Sequence, residues 1–186
     1  MTTAIELEKN RKLQSTGIFL NFEVVREVWD LHKLEDGTKV RSRVILSSIL
    51  ANTSLEQIER QIKEEKTPEL QTSFNFQNLI AIESPAELRG EPGKPKYSDE
   101  ELNSCIVAPH LDFETLHQAW NIYNLGFGHT LKLRTTPIDF SRTSKYDANG
   151  IPIYLFNFNV DAKIELSPDL QKIVEKNKAK QLQLPK

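Results

Sequence analysis

The sequence predicts a mainly β protein with minor α content, in which a three-stranded antiparallel meander is written twice in tandem. Three observations carry that expectation: self-similarity at a fixed offset, glycine-containing turns at matched places, and runs of alternating apolar and polar residues. An offset of 91 lays Trp29 on Trp120, the two tryptophans of the chain, and aligns residues 20–43 with 111–134 without a gap. Leu20/Leu111, Phe22/Phe113, Glu23/Glu114, Trp29/Trp120, Leu34/Leu125, Gly37/Gly128 and Arg43/Arg134 are identical. Asn21/Asp112, Asp30/Asn121 and His32/Tyr123 are chemically matched. At an offset of 82, Phe74-Asn75-Phe76 lies on Phe156-Asn157-Phe158, and Ser84-Pro85 is echoed by Ser167-Pro168. Two blocks in the same order point to duplication, with extra residues inside the first copy.

In chain order, the first copy should begin with a strand over 22–34, turn at Asp36-Gly37 with both positions at φ > 0, and return over 38–50. The segment 53–65 then reads as an inserted helix. Thr53 and Glu56 form a capping box, Leu55, Ile58 and Ile62 share a face, and Glu56/Arg60 and Glu59/Lys63 are i,i+4 pairs. A third strand, 73–83, leads to Ser84 as an N-cap with Pro85 in the first helical position. In the second copy, strands over 113–125, 130–140 and 153–166 surround the Gly126-Phe127-Gly128 turn and the loop 145–150. A closing helix should start at Ser167 and Pro168, and Ser98 with Glu101 forms a further capping box between the copies.

These elements divide the chain into an N-terminal extension 1–17 and a first repeat 18–88 with its helix at 54–66. A Pro/Gly-containing linker 89–108, a second repeat 109–166, and a C-terminal helix with basic tail 167–186 follow. Three strands bury too little apolar surface to stand alone. The six strands are therefore expected to share one core as a pseudo-two-fold barrel or sandwich, a single compact domain.

Composition narrows the function classes. The 186 residues carry 24 Lys+Arg against 26 Asp+Glu, a net charge of −2 that opposes a dedicated polyanion binder. One cysteine, Cys105, excludes an internal disulfide and a Cys-based zinc cage. No apolar run approaches the roughly 20 residues of a membrane-spanning helix. The charged start MTTAIELEKNRK lacks the apolar stretch of a signal peptide, so a cytoplasmic location is expected.

Four groups of residues could carry chemistry. Lys39, Arg41 and Arg43, with Lys132 and Arg134, alternate along the second strand of each copy and would share one face. Such paired stripes could follow a phosphate backbone, with Phe74, Phe76, Tyr154, Phe156 and Phe158 as stacking partners. A solvated face, with Glu23 and Glu114 pairing with Arg43 and Arg134, is the simpler reading. His110, Asp112, Glu114 and His117 have metal-ligand chemistry, but their spacing fits no ligand motif and the first copy holds Phe19, Asn21, Glu23 and Arg26 there. Phe22, Trp29 and Gly37, with Phe113, Trp120 and Gly128, are the repeat anchors, and the tryptophans are expected in the core. No nucleophile elbow or phosphate-binding glycine loop occurs, and Cys105 has the apolar context of an inert thiol. The expectation is a non-enzymatic binding or scaffolding module without cofactor. Its partner would be a protein or a second copy; the alternatives are a small β-barrel that binds single-stranded nucleic acid through the paired basic strands, and a divalent-metal-dependent enzyme using His110, Asp112, Glu114 and His117. The C-terminal stretch 171–186, with five Lys and one Glu, is a candidate docking element.

Overall fold

A computed structural model describes residues 18–51, 72–126 and 128–168, together with Gln57, Arg60, Gln61, Lys63, Glu64, Gln171, Lys172, Glu175 and Lys176. The described chain is mainly β: two antiparallel five-stranded sheets, and not a closed barrel. The strands are β1 (Ile18–Phe19), β2 (Glu23–Arg26), β3 (Asp30–Leu34), β4 (Lys39–Ala51) and β5 (Thr72–Glu83), then β6 (Ile106–Ala108), β7 (Phe113–His117), β8 (Asn121–Gly126), β9 (His129–Tyr146) and β10 (Pro152–Leu166). One sheet runs β5-β4-β3-β7, with β1 beside the far end of β4; the other runs β10-β9-β8-β2, with β6 beside β9.

The continuous strands expected over 22–34 and 113–125 do not form. Each breaks in two, β2 and β3 in one case and β7 and β8 in the other, and the halves join different sheets. β2 pairs with β8, placing Glu23 opposite Asn124, Val24 opposite Tyr123 and Arg26 opposite Ile122. β7 pairs with β3, placing Glu114 opposite Lys33, Thr115 opposite His32 and His117 opposite Leu31. Each pair of the second set is the first moved by 91 positions, so β2 lies in the sheet of β8, β9 and β10, and β7 in the sheet of β3, β4 and β5. Only β3 remains for the first hairpin, with Asp30 opposite Ser42 and Lys33 opposite Lys39. The equivalent β8–β9 pairs are Asn121 opposite Leu133 and Asn124 opposite Thr130.

The outer hairpins repeat the same register. Leu46 faces Phe76 and Ser48 faces Asn75, leaving Ser47 as a bulge; Pro137 faces Phe158 and Asp139 faces Asn157, leaving Ile138. Offsets of 91 and 82 relate these pairs, bulge included. Beside the bulge, Pro137 occupies one of the few sites a strand offers a residue without an N–H. The β3–β4 connection is a three-residue loop rather than the expected two-residue turn. Leu34 N–H donates to Thr38 O (2.8 Å), only Gly37 has positive φ (87°), and Asp36 caps the Thr38 N–H (3.0 Å).

Alternation along β4 and β9 sends Val40, Val44, Leu46 and Ile49, and Leu131, Leu133 and Phe140, inward. The core forms two clusters. Leu20, Val44, Leu46, Ile49 and Ala51 pack with Tyr123, Leu125, Leu131 and Leu133, flanked by Phe22, Phe74 and Val160. Leu34 and Val40 pack with Leu111, Phe140 and Tyr154, flanked by Ile80, Ile82, Phe113 and Phe158. Residues from 18–88 and from 109–166 contribute to each cluster.

The linker is more structured than expected. It holds a helix, α1 (Asp99–Asn103), with the Ser98/Glu101 capping box formed, and β6, which adds to β9. Gly90 N–H donates to Gly150 O (3.0 Å) and Gly93 N–H to Asp147 O (2.8 Å), tying the linker to the β9–β10 turn. Ser84 is not an N-cap: the chain makes only a 3₁₀ turn, Ala86–Leu88, with Pro85 before it and no side-chain cap. Of the inserted helix, Gln57, Arg60, Gln61 and Lys63 are helical and Glu64 N–H donates to Arg60 O (2.9 Å); its capping box and apolar face lie outside the described residues. Pro168, Gln171, Lys172, Glu175 and Lys176 are helical, and the rest of the expected C-terminal helix and basic tail also lies outside them. No described helix is long and apolar enough to cross a membrane.

Candidate functional site

The crossovers that exchange the strands build a polar seam between the sheets. Asp30 opens β3, is 3% exposed, and accepts the Ala119 N–H (2.9 Å) and the Thr135 hydroxyl (2.9 Å). Its equivalent, Asn121, opens β8, accepts the Val28 N–H (2.8 Å) and donates to Val44 O (2.7 Å). Each side chain thus holds the crossover backbone of the other repeat. Beside them Ser42 Oγ lies 3.2 Å from Thr135 Oγ1. The Tyr123 hydroxyl donates to Glu27 (2.9 Å) and accepts the Leu46 N–H (3.2 Å); burial and the Glu27 carboxylate push its pKa well above the ordinary phenol value. Glu27 also pairs with Arg43. Tyr123→Phe should cost about 1–2 kcal/mol, read by urea unfolding, because the Leu46 N–H loses a buried acceptor.

His32, the equivalent of Tyr123, is fully buried against Phe113 and Phe140. Its Nδ1 lies 3.1 Å from Thr115 Oγ1, and its Nε2 has no hydrogen-bond partner among the described residues. Burial lowers its pKa below 6.5, although the Asp30 charge pulls the other way. A lowered pKa means that the unfolded chain binds this proton more tightly. The stabilising contribution is complete above pH 6.5 and is lost as pH falls below it. His32→Asn should flatten that slope in a pH series of thermal unfolding.

The sequence-derived candidates behave differently from one another. On the outer face of β4, Arg41 lies 3.7 Å from Glu83, and on β9 Lys132 lies 2.5 Å from Glu165 and Arg134 2.9 Å from Asp161. Carboxylates therefore meet four of the five stripe cations, Lys39 being the exception with no ion pair among the described residues. The Arg134 guanidinium, followed by the Thr136 hydroxyl, holds the Asp161 pKa low; Lys132 and Lys163 do the same for Glu165. The partners are not Glu23 and Glu114, because strand exchange carries those residues to other neighbours: Glu23 meets Asn124 (3.4 Å) and Glu114 faces Lys33.

The aromatic candidates do not form one exposed face. Tyr154 is buried and its hydroxyl donates to Asp36 (2.8 Å), Phe74 and Phe158 pack on the two clusters, and Phe76 and Phe156 remain exposed. The tryptophans correct an expectation. Trp29 is 39% exposed and Trp120 is half-buried beneath Arg134, whose Cζ lies 4.4 Å from the ring centroid. Both stand in the crossovers, where the break in the strand turns them away from the core. Phe22, Phe113, Gly37 and Gly128 do serve the fold, the phenylalanines on the clusters and the glycines at φ 87° and 71°.

The metal-type residues are not assembled. His110 leaves the strand with φ 51° and bonds to Asp139 (2.9 Å), Asp112 precedes β7, and Glu114 and His117 lie along it. Among the described residues no three His, Cys, Asp or Glu side chains are grouped as metal ligands. A shallow groove of about 360 Å³ lies between β1 and β8, lined by Phe19, Leu20, Asn21, Phe22, Glu23, Asn124, Leu125 and Gly126. Cys105 is a free thiol 3.7 Å from Ser104 Oγ.

Asp30, Asn121, Glu27 and Tyr123 were not singled out by sequence, although Asp30/Asn121 was a matched pair. The available signal was a polar residue at an inward strand position in both copies. No protein-family model, curated protein or solved structure matches the chain.

Proposed function

We propose that the chain is a tandem duplication of one β unit, folded as a single domain, that works as a non-catalytic binding or scaffolding module in a homo-oligomer or larger protein assembly. The observation that carries this reading is the outer edge of the first sheet. β5 runs for 12 residues, pairs among the described residues only with β4, and exposes Phe76 and Leu79. A long open edge with apolar side chains is a template for another strand. The buried polar residues Asp30, Ser42, Asn121 and Thr135 serve the seam between the sheets, which supports a structural role for them over a catalytic one.

To test the reading, the chain is isolated from gently lysed source cells and its particle mass measured. A particle well above 21.4 kDa is expected; a lone 21.4 kDa species would overturn the assembly reading. The nucleic-acid alternative loses support because its basic stripes are met by carboxylates. Single-stranded oligonucleotides should show no retardation at low salt, whereas salt-sensitive binding weakened by Arg41→Ala with Lys132→Ala would revive that alternative.

A further inference from the structure

The two outer edges, β5 and β10, are equivalent in register but not in charge. At the positions where β10 carries Asp161 and Lys163, β5 carries Leu79 and Ala81. Glu83 and Glu165 match, so the difference is confined to this pair. Charged side chains, lysine above all, are a common protection of sheet edges. β10 has that protection, whereas from Thr72 to Ile82 β5 has no charge and no proline.

We infer that β5 is an interface with a second copy of this chain, paired antiparallel about a two-fold axis at Asn78. This inference rests on the assembly reading above and names its partner. Phe74, Phe76, Asn78, Ile80 and Ile82 share the inner face, and Asn78 is the midpoint of 73–83, so among them this centre leaves the longest overlap. Centring the pair on Asn78 sets Phe76 opposite Ile80 of the partner subunit and Phe74 opposite Ile82 of the partner subunit. Aromatic–aliphatic cross-strand pairs of this kind stabilise sheets. On the outer face Leu79 meets Gln77 of the partner subunit and Glu83 meets Ser73 of the partner subunit, so no like charges are opposed. The two five-stranded sheets then become one of ten strands. A two-fold contact of a patch with itself closes at the dimer.

Sedimentation equilibrium of the purified full chain should give twice its 21.4 kDa mass. Leu79→Asp with Ala81→Lys, which copies β10 chemistry onto β5, should abolish the dimer while circular dichroism stays unchanged. Asn78→Cys in a Cys105→Ser background should be bridged to itself by a short bis-maleimide, a readout that does not depend on the charged variant folding. A monomeric purified chain, a dimer that survives the charged pair, or no bridging at residue 78 would each overturn the inference. A ladder of larger species would overturn it in favour of β5 pairing on β10. A purified chain that is monomeric but sits in a heavier particle in its source cells would reject the second-copy partner and leave the assembly reading standing.

Discussion

Asp30→Ala should lower the unfolding free energy by about 2–5 kcal/mol, one of the largest single-residue losses expected in this chain. The carboxylate accepts the Ala119 N–H and the Thr135 hydroxyl at a site 3% exposed, so truncation leaves the Ala119 N–H without this acceptor and the Thr135 hydroxyl with only Ser42 Oγ beside it. Neither donor belongs to the first repeat, so the loss falls on the seam between the sheets. Asp30→Asn places at this position the amide that already stands at 121, and it should cost only about 1 kcal/mol. Guanidinium unfolding of both variants checks the pair. A loss from Asp30→Ala below that from Asp30→Asn would mean that the seam is not formed as described.

Separating the repeats should have a still larger effect. Chains 1–91 and 92–186, produced independently, should each be unfolded, and mixing them should restore the β signal in far-UV circular dichroism. Each cluster needs both halves: Leu46 and Ile49 are covered by Leu131 and Leu133, while Phe140 and Tyr154 are covered by Leu34 and Val40. With its partner half missing, a half exposes those residues to water and leaves β3 or β8 without its exchanged neighbour. What remains is a small sheet that buries too little apolar area to offset chain entropy. A half that shows a cooperative thermal transition alone would refute the shared core.

The sequence made the strand content legible because alternation is strong in β4 and β9 and glycine marks the turns. The repeat offsets of 91 and 82 reappear in the strand pairing, including the bulge at Ser47 and Ile138. What stayed hidden is the break at Glu27–Trp29. Neither Gly nor Pro marks it, and the residues 22–34 are rich enough in β formers to read as one strand. The break is set by tertiary pairing, since β2 gains β8 as a neighbour only by leaving its own copy. That event also decides the tryptophans and the ion pairs. Trp29 and Trp120 sit in crossovers instead of the core, and Arg43 finds Glu27 rather than Glu23. The metal-type residues are separated by a different, local feature: positive φ at His110, ahead of β7, ends the shared face on which the grouping depended.

The exchange of first strands is tested most directly by proton–proton contacts across the sheets, measured by nuclear magnetic resonance on the labelled full chain. Cross-strand contacts are expected between Val24 and Tyr123 and between Thr115 and His32, the two equivalent pairs. Contacts between Val24 and Ser48 would contradict it, because they would extend the β3–β4 register into one unbroken strand and return each repeat to its own sheet.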